Sequence, residues 1–223
     1  EAAVQLVEEY GGEVIALTMG PEDAEDALMR ALQMGADRAV LVTDERLVGA
    51  DAGLTALALA AAIQRINEDG GIDLVVTGMA SLDSMTSMLP AALATRLGMP
   101  LLGLAHSIEV DPASSRVTIG RTVDGYDDEL AAQMPLVVSV TDQINEPRYP
   151  AFAAMKAARK KPMDHMDLAE LASTPAGALI EGRPRVIQVL KTDEVVRESA
   201  GTIIPDSGDA GARLAAYLLE VVK

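Results

Sequence analysis

Short apolar runs rich in β-branched residues alternate with Ala- and Leu-rich helical segments over about the first two thirds of the chain. The runs Val14–Thr18, Ala39–Val42 and Asp73–Thr77 lack the polar alternation of a strand with one solvated face. Helical segments over Asp23–Met34 and Asp51–Asn67 separate them. Buried strands separated by helices indicate a parallel sheet covered on both faces. The sequence therefore predicts an α/β fold with a doubly wound, mostly parallel, Rossmann-like sheet.

The pattern changes after Pro100. The runs Leu104–Val110 and Arg116–Val123 flank a turn-rich DPASS sequence, which predicts an antiparallel pair of strands. Leu136–Val140 predicts a further buried strand. We therefore expect an antiparallel extension beside the parallel sheet.

We expect two structural regions, an α/β domain over residues 1–162 and a C-terminal arm over residues 163–223 that wraps a partner subunit. The arm ends in a predicted amphipathic helix, Ala212–Val221. The chain opens on a helical segment, whereas an α/β unit normally opens on a strand. We therefore expect a further strand to precede Glu1.

The composition argues against several classes of function. A net charge of −16 repels phosphates, so we expect no nucleic-acid partner. Cysteine is absent, which excludes thiolate nucleophiles and iron–sulfur ligation, and His106 and His165 lie too far apart in sequence to predict a metal site. No run is long and apolar enough to span a bilayer, and we expect a cytoplasmic protein. Asp127–Glu129 is expected to be a solvated turn, and no set of catalytic residues is recognisable.

The segment Thr77–Ala94 predicts a strand, a loop of small and polar residues, and a helix over Ser87–Leu97. Free amides at a helix N-terminus bind anions, and ligands of open α/β sheets lie at the carboxyl ends of strands. We expect a phosphate on the amides of Thr86–Leu89, with Asp83 orienting the loop or contacting a sugar hydroxyl. The alternative is a helix cap with nothing bound. The loop has neither a Walker nor a GxGxxG motif, so a bound nucleotide would be structural.

A second loop at a strand end is the turn Thr18–Gly20, where a glycine would let a flat adenine approach the backbone. The alternative is a plain turn between a strand and a helix.

Residues 145–162, here called the basic segment, read NEPRYPAFAAMKAARKKP. The segment contains Phe152, the sole phenylalanine, just before a predicted short helix, Ala153–Ala158. Cations near the end of that helix oppose its dipole favourably; they are Lys156, Arg159, Lys160 and Lys161. An aromatic residue beside cations in an acidic protein indicates a docking element. The alternative is that Phe152 lies in the core and the cations form an ordinary solvated face.

Taken together, these motifs resemble the β subunit of electron transfer flavoproteins over nearly the whole chain. The basic segment is similar to that family's signature and its partner-recognition loop. Four further stretches resemble, in turn, the family's first unit, its nucleotide-binding loop, the strand pair before its signature and its C-terminal arm: GPEDAEDALMRALQMGADRAVLV, DLVVTGMASLDS, RTVDGYDDELAAQMPLVVSV and ESAGTIIPDSG.

The resemblance implies a heterodimer whose α subunit holds most of a redox-active FAD, while this chain binds AMP without a redox role. Ser87, Met88 and Leu89 replace more polar residues of some family members, so the contacts implied there are made by backbone. The positions that match AMP contacts are Met19, Gly20, Gly78, Asp83, Thr86, Ser87, Met88 and Leu89.

The resemblance also implies an electron carrier of fatty acid β-oxidation without catalytic residues of its own. It would dock acyl-CoA dehydrogenases, with Phe152 as the anchor, and pass electrons to a quinone-linked oxidoreductase. The implied partner-binding residues are Tyr149, Phe152, Met155, Lys156 and Arg159. Two alternatives stay open: an electron-bifurcating relative with a second FAD in the AMP site, and a nucleotide-sensing module.

Overall fold

The computed structural model describes residues 1–82, 85–183, 186–196, 203 and 205–221. Its contacts divide the chain into two compact units, Glu1–Gln188 and Val189–Lys223. The helices of the first unit are α1 (Ala2–Tyr10), α2 (Glu25–Met34), α3 (Ala52–Gly70), α4 (Leu89–Leu97), α5 (Phe152–Ala158) and α6 (Leu168–Leu171). Its strands are β1 (Ile15–Met19), β2 (Arg38–Val42), β3 (Leu74–Gly78), β4 (Leu101–Ala105), β5 (Ser107–Asp111), β6 (Arg116–Val123), β7 (Tyr126–Gln133), β8 (Leu136–Val140) and β9 (Met163–Met166).

The strands form three three-stranded sheets, which confirms the mixed α/β class. Two sheets are parallel, with the orders β1-β2-β9 and β3-β8-β4, and the third is antiparallel, with the order β5-β6-β7. Among the described strands, β1 and β3 each pair on one side only. The strand that we expect before Glu1 stays a prediction.

Helix α3 is the centre of the largest hydrophobic cluster. Every residue from Ala56 to Ala62 is buried, so this helix is covered on all sides. Helix α3 packs against β1, and Leu17 and Met19 of that strand join its cluster. Val75 of β3 packs against the same cluster. One hydrophobic cluster therefore includes residues of both strands whose carboxyl ends lead into the candidate loops.

The predicted helices and strands of the first unit are confirmed, with three corrections, one of which is that α4 starts later than predicted, at Leu89. Leu104–Val110 is two strands rather than one, because the backbone leaves the extended conformation at Leu104, whose φ is 65°, and breaks at His106. Asp127–Glu129 lies in β7 rather than in a turn. The missed signal is the alternation that follows, in which Leu130 and Ala132 pack on the core while intervening residues face out.

Residues after β9 are also ordered against the core. A capping box between Asp167 and Glu170 starts α6, and Leu171, Thr174 and Ala176 are buried. The second unit contains α7 (Ala210–Val221), which confirms the predicted amphipathic helix. The boundary after residue 162 and the wrapping of a partner stay predictions. None of the helices in the described ranges combines the length and the apolarity needed to cross a membrane.

Candidate functional site at the strand ends and the basic segment

The first candidate site is the strand-end loop, residues 79–88, which joins β3 to α4. Two of its residues, Met85 and Ser87, have left-handed backbone conformations with φ of 51° and 52°. Residues other than glycine rarely adopt this backbone conformation, and those that do so cluster at ligand sites. Helix α4 therefore starts at Leu89, two residues later than predicted, because Ser87 cannot be helical at this φ.

A small cavity opens beside this loop. Its volume is about 90 Å³, well below the roughly 300 Å³ at which pockets for whole small molecules begin, but enough for an anion of phosphate size. Thr86, Ser87 and Leu89 line it, and their contact with a phosphate stays a prediction. The other lining residues are Ala50, Ala52, Thr55, Ala80 and Ser81.

The lining residues between β2 and α3 were missed by the sequence analysis. Ala50 and Ala52 carry no polar side chain, so no motif marked them. The available signal was topological. The residues that follow β2 start at the same edge of the sheet as the end of β1, because the two strands are parallel.

The N-termini of α3 and α4 differ in what satisfies their amides. Asp51 caps α3, with its Oδ1 accepting from the Leu54 amide at 2.8 Å and its Oδ2 accepting from the Val186 amide at 3.1 Å. The Leu54 amide is the main reason that the pKa of Asp51 lies below its ordinary value, and the Val186 amide adds to it against the opposing effect of burial. Among the described residues, no side chain caps the amides that start α4 after Met88. Of the two helix starts beside the cavity, α4 is therefore the better anion site.

The remaining predicted cofactor residues do not line the cavity. Met19 packs against the α3 cluster, Gly78 and Met88 are exposed, and Asp83 lies outside the described residues. A Cβ on Gly20 would lie 3.0 Å from the Cβ of Ala24, so this glycine is explained by close packing of the following turn. Contact of these positions with a nucleotide stays a prediction.

The second candidate site is the basic segment. Its two large aromatic side chains face solvent, with Tyr149 92% and Phe152 80% exposed. The interpretation of Phe152 as a core residue is therefore wrong. Met155 is half-buried, whereas Lys156 and Arg159 are exposed and form no ion pair with a carboxylate in the described ranges. The five predicted partner-binding residues thus lie on α5 or beside its ends, with Tyr149 before the helix and Arg159 directly after it, and their contact with a partner stays a prediction.

Two cations hold the ends of the basic segment, and the sequence analysis predicted neither role. Arg148 donates from Nε to Glu1 Oε2 at 2.8 Å and from Nη1 to Glu8 Oε1 at 2.6 Å. The side-chain bond from Arg148 to Glu1 is the largest of the causes that lower the pKa of Glu1 to about 2. At the other end, the Lys161 Nζ donates to the Ala36 carbonyl at 2.5 Å. Lys161 therefore caps α2 rather than adding to the exposed cations.

The chain matches a family model described as "Electron transfer flavoprotein domain" over residues 1–171. It is 36% identical over 217 residues to a protein of Mycobacterium leprae named electron transfer flavoprotein subunit beta, covering 96% of this chain and 78% of that one. A protein of the same name from Megasphaera elsdenii is 30% identical over 214 residues, covering 94% and 77%. Protein FixA of Azorhizobium caulinodans is 41% identical over 162 residues, covering 71% and 58%.

Proposed function

The chain belongs to the electron transfer flavoprotein family, and from that membership we propose that it is the β subunit of a heterodimer in which the α subunit holds most of a redox-active FAD. When bound, that flavin supplies the electron-carrying chemistry. The residues of this chain contribute binding and docking surfaces and no catalytic group. A cytoplasmic location belongs to the same proposal, and a net charge of −16 opposes self-association at the concentrations that a shared carrier needs.

The strand-end site would bind AMP. The start of α4, which no described side chain caps, and the cavity of about 90 Å³ beside Thr86, Ser87 and Leu89 support a phosphate there. A helix N-terminus stabilises a phosphate through free amides and the helix dipole. Because the cavity is too small for a nucleoside, the sugar and adenine would lie outside it, along the strand ends marked by Gly20 and Gly78. The ligand would be structural, since the loop has no Lys to pair with a metal-holding carboxylate, as hydrolysis of a triphosphate would need.

The basic segment would dock acyl-CoA dehydrogenases, which deliver electrons from fatty acid β-oxidation to the carrier for transfer to a quinone-linked oxidoreductase. The single observation that carries this part is the exposure of Phe152, a large apolar side chain held in solvent beside Lys156 and Arg159. Interface hot spots are typically aromatic anchors that enter a pocket on the partner, and surrounding charges speed encounter.

Co-expression with the α subunit and identification of the bound molecules by mass spectrometry tests the assembly. We expect a yellow heterodimer that releases FAD and AMP in equal amounts after denaturation. FAD in place of AMP would assign a second flavin to the strand-end site. A stable, flavin-free protein that does not bind the α subunit would overturn the proposal.

A further inference from the structure

We propose that Arg148 and Lys161 form two anchors that fix the basic segment in its docking shape before any partner arrives. This inference rests on the proposed docking role of the segment. It assigns Arg148 as a positioning residue, which acts through Tyr149 and Phe152 rather than touching the partner. The anchors stand at the two ends of the exposed stretch, and each attaches to a different helix of the α/β domain.

The Arg148 anchor uses both sides of a guanidinium group. Nε and Nη2 donate to the two carboxylate oxygens of Glu1 at 2.8 and 2.9 Å, and Nη1 and Nη2 donate to the two oxygens of Glu8 at 2.6 and 2.8 Å. The Arg148 amide also donates to Glu1 Oε2 at 3.1 Å. Paired bonds of this kind fix orientation as well as distance, because the guanidinium fork is planar. The residue immediately before Tyr149 is therefore fixed to both ends of α1.

The two carboxylates that bind Arg148 differ in burial, so they contribute differently to the anchor. The Glu1 side chain is 5% exposed and also accepts from Gln5, whereas the Glu8 side chain is 57% exposed. Glu1 is thus the rigid partner of Arg148, and Glu8 adds a second, more solvated contact. Removing Glu8 is expected to loosen the segment without unfolding α1.

The Lys161 anchor closes the other end. Its Nζ donates to the carbonyls of Leu32 at 3.3 Å and Ala36 at 2.5 Å, at the C-terminus of α2. A cation there satisfies carbonyls that the helix leaves free and complements its dipole. Helix α1 reaches the same place, since Val4 lies against Gly35. Lys161 therefore attaches the segment to the end of α2 directly, whereas Arg148 attaches it there through α1.

Packing holds only the C-terminal part of the segment, where Ala158 is fully buried in a core cluster with Leu28 and Leu32 of α2. Residues 149–153 include no buried residue. A cavity of about 390 Å³ lies between this part of the segment and α2, and both Arg148 and Lys161 lie on its border. The cavity is lined by Leu32, Met34 and Gly35 on the helix side and by Tyr149, Pro150, Ala154 and Ala157 on the segment side. The position of the exposed part therefore depends on the polar anchors, and on Arg148 most directly.

A segment ordered in advance loses less entropy on binding, which favours affinity for the partner. Loosening it is expected to raise KM for docking while leaving the chemical step unchanged. The test uses the heterodimer with variants Arg148→Lys, which keeps the charge but loses the planar fork, and Glu8→Gln, which removes only the solvated contact. Arg65→Lys is the matched control, because Arg65 pairs with Glu68 on α3 and touches no part of the segment.

Two measurements are needed. Amide hydrogen exchange over residues 149–158 reports whether the segment opens, and steady-state reduction by an acyl-CoA dehydrogenase with its acyl-CoA substrate reports docking. We expect exchange to quicken by about tenfold in Arg148→Lys and KM to rise roughly threefold to tenfold at nearly unchanged kcat, with Glu8→Gln intermediate. Arg65→Lys should match the unmodified heterodimer in both measurements.

Unchanged exchange in Arg148→Lys would overturn the inference, and so would faster exchange with an unchanged KM. A fall in kcat at constant KM would contradict a role in docking. The proposed function fails separately, if Phe152→Ala leaves KM unchanged, because then the segment does not dock the dehydrogenase whatever its mobility.

Discussion

The strand-end loop and the basic segment prepare for binding in opposite ways. In the strand-end loop, the groups available to a ligand are mainly backbone amides, because the side chains that line the cavity are small. No described side chain caps the amides of α4, and two residues of the loop are left-handed. The basic segment offers side chains, and its shape depends on two cations that reach other helices. One region depends on backbone conformation, whereas the other depends on particular residues.

This difference explains how the two regions respond to changes in sequence. A phosphate bound by amides does not depend on whether Ser87 or Met88 is polar, since both residues carry an amide donor, as does every residue around them except Pro90. An aromatic anchor and a guanidinium fork have no such substitute. Conservative exchanges should therefore be tolerated in the strand-end loop and harmful in the basic segment.

The largest expected effect is at Phe152. Truncation to Ala should lower kcat/KM for reduction by an acyl-CoA dehydrogenase about 30-fold or more, because loss of a hot-spot aromatic costs about 2 kcal/mol or more. The thermal unfolding midpoint should not move, since the side chain is 80% exposed. Tyr126→Ala, which truncates another exposed aromatic, on β7, is the control. Equal losses in both variants would remove the special role of the basic segment.

The next effect concerns the anchor and its pH dependence. Glu1→Gln should lower the free energy of unfolding by about 1.5–3 kcal/mol at neutral pH, because it removes a charge-assisted bond to Arg148. The pKa of Glu1 is about 2, against an ordinary value of 4.5. A depressed carboxylate pKa stabilises the fold fully above about pH 4.5, and the contribution is lost as pH falls towards about 2.

Denaturant titrations of the unmodified protein and Glu1→Gln between neutral pH and pH 3 measure this directly. The difference between them should be constant above about pH 4.5 and should shrink below it. Glu129→Gln, an exposed glutamate of β7, is the control. A difference that grows towards acid pH would contradict the anchor.

Ser87 tests the backbone character of the strand-end loop. Asn and Asp both tolerate its left-handed conformation, so Ser87→Asn and Ser87→Asp differ mainly in charge. We expect Ser87→Asp to weaken AMP binding about tenfold or more through repulsion of the phosphate, and Ser87→Asn to change it by less than about threefold. Calorimetric titration of nucleotide-stripped heterodimer measures both. A large loss in Ser87→Asn would mean that the side chain, not the backbone, makes the contact.

The smallest effect is at the second anchor. Lys161→Met should lower the free energy of unfolding by about 1 kcal/mol, because the carbonyls at the end of α2 lose their donor. Lys160→Met is a neighbouring control, since Lys160 is exposed and has no side-chain bond among the described residues; it should change stability by less than about 0.5 kcal/mol. Similar values for the two variants would count against the Lys161 cap.

Most elements were predictable because their signals are local. The predicted apolar runs Val14–Thr18 and Ala39–Val42 correspond to β1 and β2, and the glycine after Met34 ends α2, because periodicity and backbone preference act locally. The errors fall where local signals conflict. A run of three acidic residues near the start of β7 concealed an alternating strand, and α4 starts later than predicted because Ser87 is left-handed.

The sequence alone determined the α/β class and the family, and it marked the two regions proposed to carry function, because hydrophobic periodicity, turn residues and contiguous motifs are local features of the chain. Only the tertiary structure decided which other residues surround those regions and hold them in place. It placed Ala50 and Ala52 beside the strand-end loop, exposed Phe152, and joined Arg148 to Glu1 and Glu8 across about 140 residues of chain. Such long-range contacts depend on how separate elements pack, and no local pattern encodes them.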